Sequence, residues 1–176
     1  MSARGTVTQN ATGGAGQEWE RLARSASGYN AVQEEPELLR ELLSFELDNS
    51  PYAIPVERVR EIIRPREATP MPRTPDCVLG VIAMRGEIVQ VVDLRMRLGV
   101  QLAAPTKRSR IIVLHGDDNR VTGVLVDAVR EVLRVSEDDI SEATANQSGS
   151  VMELCRCGQE FVSIVDLDQV LDFDAD

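Results

Sequence analysis

Between residues 42 and 47, Leu43, Phe45 and Leu47 alternate with Ser44 and Glu46, the period-two pattern of a strand buried on one face. Asp48, Asn49, Ser50 and Pro51 supply a turn, and residues 52–54 read as the return strand. Pro55 is placed to open a helical turn that sets Val56 and Val59 on one side, and residues 61–64 read as extended. Four prolines between Arg64 and Pro75 predict a stiff surface loop. Thr74 and Pro75 then predict a short helix that Gly80 ends. From Val81 the pattern becomes a hairpin. Val81, Ile82 and Met84 lead into the polar turn Arg85-Gly86-Glu87, in which only the glycine takes a positive φ without cost. Ile88, Val89, Val91 and Val92 form a β-branched run suited to a strand buried on both faces. Asp93 stands where it would cap a helical turn over 94–98, and Gly99 where it would stop one.

Much of this pattern returns. After a connector at 100–108, in which Pro105 argues against a strand, residues 110–114 and 120–126 read as strands joined across a turn at 116–119. Asp127 is expected to cap a further helical turn. A polar, acidic stretch follows to Ser150, then a second hairpin and a tail of aspartates. VVDL at 91–94 and IVDL at 164–167 lie 73 residues apart, and Val56, Val59, Arg60 and Glu61 recur 70 residues on as Val126, Val129, Arg130 and Glu131. Two matches at nearly one spacing read as an internal duplication. Each copy runs strand, turn, strand, helical turn, strand, loop, hairpin, capped turn. A copy of about 65 residues can bury only roughly 60% of its unfolded surface. The halves 37–104 and 105–176 are therefore expected to pack together and to exchange strands. Many short strands with Gly and Pro turns predict a mainly β fold of two small barrels rather than an α/β sheet.

Composition narrows the function. A net charge of −10 argues against nucleic acid, whose phosphates need a basic face, and aromatics at 3% leave little to stack on bases. No apolar run approaches the 18 or so residues of a membrane span. Three cysteines, Cys77, Cys155 and Cys157, form an odd set with no secretory signal ahead of them, which predicts a soluble protein of a reducing cytoplasm. Residues 1–36 read as a disordered tail. Within it Trp19, Leu22, Ala23 and Ala26 share one face of a short helix, either a docking peptide for a partner groove or a helix that frays or rests on its own domain.

Catalytic chemistry finds little support. Asp93 and Asp166 occupy equivalent places and would form a dyad if they shared a proton, the basis of a remote hydrolase reading. Each, however, precedes Leu rather than Thr/Ser-Gly, and each opens an apolar helical turn, as an N-cap does. Cys155 and Cys157 are too few and too closely spaced for a tetrahedral zinc site, and His115 is the only histidine. No cofactor or metal is expected. Val56, Val59, Ile62, Val129 and Val132 are candidates to line a groove between the barrels, or else to be core. Arg85 is expected at a hairpin tip, either solvated or held by the Glu61 carboxylate and offered at an interface, where arginine is enriched.

Four segments carry a family resemblance: SFELDNSPYAIPVERVREII from Ser44, GVIAMRGEIVQVVDLR from Gly80, GVLVDAVREVL from Gly123 and FVSIVDLDQVL from Phe161. Over about residues 39–171 the chain resembles the CheW family of chemotaxis coupling proteins. The resemblance implies two five-stranded SH3-like barrels, no enzymatic activity, and a scaffold linking the cytoplasmic tips of methyl-accepting chemoreceptors to the regulatory domain of a CheA-type histidine kinase. It also implies ring assembly beneath receptor arrays and a cytoplasmic location at the membrane through partners, without insertion. A stand-alone CheW-like kinase regulator of another motility or chemosensory pathway is the alternative. By motif position, Val59, Glu61, Ile62, Gly80, Arg85 and Val132 match places where the family meets receptor or kinase, or holds those surfaces in shape.

Overall fold

The chain turns back on itself first at Asp48 and Asn49, whose φ values of 50° and 60° give the doubly left-handed turn that Asp and Asn tolerate between strands. The computed structural model describes residues 38–116, 121–143 and 150–173. The helical face at Trp19–Ala26, most of the turn at 116–119 and the last residues of the acidic tail lie outside that set. Strand β1 (Leu39–Leu47) pairs with β2 (Ser50–Pro55) across the first turn, and a 3-10 turn at Val56–Arg58 leads into β3 (Val59–Ile63). β4 (Val78–Met84) and β5 (Glu87–Asp93) form the next hairpin, followed by helix α1 (Leu94–Leu98). β6 (Arg110–His115), β7 (Val121–Val126), β8 (Ala128–Ser136) and β9 (Ile140–Glu142) follow, then the hairpin of β10 (Val151–Cys157) and β11 (Glu160–Val165), and helix α2 (Leu167–Leu171).

The pairing crosses the duplication. One sheet has the order β8-β1-β2-β11-β10-β9 and the other β3-β6-β7-β5-β4. Each therefore draws strands from both sides of residue 104. In repeat terms the orders are the same: the third strand of one copy, the first two of the other, then the hairpin of the first copy. The correspondence extends to detail. The parallel contacts β11–β2 and β5–β7 match, and register shifts fall at Val78/Gly80 and at Val151/Glu153 in the equivalent hairpins. The six-strand sheet exceeds the expected five because β9 joins its edge. At the same place in the other sheet, Thr69 forms a single bridge to Val81 through two hydrogen bonds of 2.8 and 2.9 Å.

Among the described residues, three larger cores follow from this arrangement, beside a small cluster of Cys77, Val78 and Val92. Ile82, Met84, Val89, Val91, Ile111, Val113 and Leu125 fill one sheet. Leu42, Ala53, Val135, Cys155, Val162 and Ile164 fill the other. Between them lies a third, built from Leu43, Phe45, Leu47, Ile54, Ile112, Leu114, Val124 and Val126 with Leu94, Val165, Leu167 and Val170. Strands alternate faces, so β6 sends Ile111 and Val113 into one core and Ile112 and Leu114 into the other. Unbroken apolar runs therefore mark strands that serve two cores.

The helices sit at the seam. Asp93 accepts a hydrogen bond from Arg95 N, and Gly99 closes α1 in the left-handed region at φ 66°. Asp166 accepts from Asp168 N and Gln169 N at the start of α2. Arg97 then joins the two turns by donating to the carbonyls of Gln169, Val170 and Asp172 at 2.8–3.0 Å. Removing the cap with Asp166→Ala is expected to cost about 1 kcal/mol, read as a lowered thermal midpoint. An unchanged midpoint would show that packing of Leu167 and Val170 alone holds α2.

Three local expectations are corrected. The helix expected after Thr74 and Pro75 is absent: Gly80 lies inside β4, because Val78, Gly80 and Ile82 are drawn inward as alternate strand positions. Asp127 caps no helical turn; it marks the bend where the chain leaves one sheet for the other, and residues 128–136 continue as β8. Ile88 is not buried on a two-faced strand but 73% exposed, one residue beyond the hairpin turn.

Candidate functional site

The β4–β5 turn holds Arg85 at φ 51° and Gly86 at φ 83°. Both central residues are thus left-handed, the twist that two antiparallel strands need, and the arginine bears the strain that the glycine avoids. The side chain leaves the tip toward β3. Its Nη2 donates to Glu61 Oε2 at 3.2 Å, with the guanidinium 73% exposed and the carboxylate 21%. Among the described residues, Glu61 Oε1 is covered and has no hydrogen-bond partner. Beside this pair, Arg60 Nη1 meets Glu87 Oε2 at 2.6 Å. The two ion pairs tie the hairpin tip to β3, and among the described residues Arg85 spends one of its five donors there, the rest facing outward for an incoming group.

The apolar candidates divide. Val56, Val59 and Val129 are half-buried and pack on the core between the sheets. Ile62 and Val132, equivalent by the duplication, stand exposed at 41% and 51%. Gly80 is buried against the backbone of Thr69. Among the described residues, a shallow groove of about 430 Å³ is lined by Met71, Val81, Glu87, Ile88, Gln90, Val121 and Thr122, and by none of the five aliphatic candidates. Two further exposed pairs recur at the 73-residue spacing: Leu79 with Met152, and Ile88 with Phe161. Sequence reasoning missed these four. The equivalence of their positions, once the repeat was aligned, was the signal available.

The aspartates do not form a dyad. Asp93 caps α1 and also faces the Arg95 guanidinium, with Nε at 3.3 Å from Oδ1 and Nη2 at 3.4 Å from Oδ2. Asp166 caps α2 with the same oxygen accepting two backbone N–H groups. Each carboxylate is committed to its own helix, which ends the hydrolase reading. His115 is exposed at the end of β6, and among the described residues no cluster of three or more His, Cys, Asp or Glu is arranged to hold a metal. Among the same residues no helix is long and apolar enough to cross a membrane.

Two strand-exchanged small barrels, with a charged hairpin tip and aliphatic side chains left in solvent at repeated positions, define a double SH3-like interaction module. The model of the CheW-like domain matches residues 41–175, and the chain belongs to the CheW family. It is 46% identical over 101 residues to the chemotaxis protein CheW of Rhizobium meliloti, a match covering 57% of this chain and 64% of that one. The chain thus spans just under two thirds of the length of that relative. Chemotaxis protein CheW of Thermotoga maritima is 32% identical over 134 residues, covering 75% and 87%. The crystal structure of the scaffolding protein TtCheW from Thermoanaerobacter tengcongensis superposes with a TM-score of 0.72 at 26% identity, covering 78% and 95%.

Proposed function

We propose that this chain is a chemosensory adaptor that holds the regulatory domain of a CheA-type histidine kinase at the cytoplasmic tip of methyl-accepting receptors. It makes and breaks no bond itself. The observation that carries this reading is the Arg85–Glu61 pair at a strained, solvent-facing hairpin tip beside β3, whose next residue is the exposed Ile62. An arginine oriented by a carboxylate and flanked by aliphatic surface suits a protein interface. Family membership and relatives named as chemotaxis and scaffolding proteins support the same reading. Coupling is then geometric. Val59, Glu61, Ile62 and Arg85 form one contact surface and Val132 its repeat-related counterpart, while Gly80, Val56 and Val129 keep the strands beneath them in place. The adaptor works in the cytoplasm and reaches the membrane, and ring arrays, through its partners.

Binding of the purified chain to a kinase regulatory domain and to a receptor signalling fragment tests the reading. Arg85→Glu sets a second carboxylate against Glu61 and is expected to raise Kd about 10- to 100-fold, with the thermal midpoint held. Ile62→Asp should behave alike. Val59→Asp is a poorer probe, because Val59 packs on the inter-sheet core and its loss would destabilise the fold. Absence of micromolar binding to either partner sinks the proposal. Binding to the kinase domain alone points to a kinase-only regulator.

A further inference from the structure

We infer that Cys155 and Cys157 form a dithiol, which a low-molecular-weight disulfide converts to an intramolecular disulfide beside the turn of the β10–β11 hairpin. This goes beyond the adaptor reading and does not depend on it. The two residues lie two apart on β10, so their side chains leave the same face of the strand. Their sulfurs are 3.4 Å apart and share a hydrogen bond. Cys155 is fully buried among Leu42, Ala53, Val135, Val162 and Ile164, whereas Cys157, beside the turn glycine Gly158, is half-exposed. Cys77 belongs to a separate cluster with Val78 and Val92.

The exposure difference sets the order of events. Cys157 thiolate attacks the small disulfide RS–SR; a Cys157–SR bond forms and one RS⁻ leaves. Cys155 thiolate then attacks the Cys157 sulfur, closing the ring and expelling the second RS⁻. Two protein thiols are oxidised, one disulfide is reduced to two small thiols, and the protons pass to those thiolates. Burial first, then the hydrogen bond with Cys157, pushes the Cys155 thiol up to about 12. Its thiolate is scarce at neutral pH, so ring closure from the mixed disulfide should quicken as the pH rises. Residues two apart in a strand have Cα atoms about 6.6 Å apart, near the upper limit for a disulfide. Closure must therefore pinch β10, and a dithiol reductant should reopen it. The pinch falls close to Glu160, which pairs with Arg130 of β8 at 3.1 Å.

The full chain, first reduced, is incubated with oxidised glutathione at pH 8, alkylated and digested with trypsin. Trypsin cuts after Arg156, between the two cysteines, so the 135–156 and 157–176 fragments separate unless a disulfide joins them. The expected result is that they remain joined, from protein that is monomeric without reductant, and that Cys77→Ser leaves the product unchanged. Cys155→Ser should stop at a glutathione adduct on Cys157. Separate fragments from the wild-type chain, whether alkylated or carrying glutathione, would overturn the inference. So would a link to Cys77 or a link between two chains.

Discussion

Gly80→Ala is expected to lower the free energy of unfolding by about 3 kcal/mol or more, a backbone strain and an overlap acting together. Gly80 sits in β4 at φ 135°, a conformation that L side chains rarely adopt. A Cβ there would lie 2.2 Å from the Thr69 carbonyl oxygen and 2.6 Å from its carbon. Both atoms are backbone and are fixed by the two hydrogen bonds with Val81, so no side chain can swing aside. The substitution has to push Thr69 off the edge of β4. Urea unfolding measures the loss, and amide exchange at Val81 should quicken with it. Gly86→Ala is the control, since Gly86 is also left-handed, at φ 83°, but among the described residues nothing lies within 4 Å of where its Cβ would stand. It should cost about 1 kcal/mol. Equal losses at the two sites would refute the close-approach account.

Arg95→Ala is expected to cost about 3–5 kcal/mol, the loss found when one member of a buried ion pair is removed. Arg95 is 2% exposed, at the seam of the molecule. Besides Asp93, its Nη1 lies 3.1 Å from Asp127 Oδ1, off the hydrogen-bonding direction, and Asp127 Oδ2 accepts from Asp48 N at 2.8 Å. One guanidinium thus holds the helix start and the bend between β7 and β8, and through Asp127 it reaches the β1–β2 turn. Position 168, the equivalent of 95 in the second copy, carries the opposite charge. Asp168 of α2 accepts from Arg58 at 3.0 Å, where the first copy crosses between sheets, but Asp168 is 68% exposed. Asp168→Ala should therefore cost no more than about 1 kcal/mol. Thermal and urea unfolding of the two variants side by side distinguish the cases, and similar losses would show that burial is not what sets the value of Arg95.

Both effects depend on features that sequence patterns register only in part. The Arg85–Glu61 contact was legible, because an arginine in a two-residue turn has few neighbours within reach and Glu61 lies on an adjacent segment. The caps at Asp93 and Asp166 were legible because capping is a local rule, complete within four residues. Gly80 was misplaced for the opposite reason. Its conformation answers to Thr69, eleven positions back, so a glycine after Pro75 looked like a helix stop. Ile88 was misread because a β-branched run shows that a strand is apolar but not where the neighbouring sheet ends.

The sequence by itself determined the elements and their doubling: alternation gave the strands, Asp and Gly set the turn and helix ends, and the 70- and 73-residue echoes revealed two copies. Only the tertiary structure decided which copy's strands meet. β1 and β6 are both short apolar strands that satisfy the same backbone donors and acceptors, so their local chemistry allows pairing with the third strand of either copy. The choice falls to the links that follow them. After β2 the Pro55 turn, and after β7 the bend at Asp127, carry the chain into the other sheet, where β6 already lies beside β3 and β1 beside β8. Residues such as Ile111 and Ile112, adjacent in sequence, then enter different cores, and the two copies close around a third core to which both contribute.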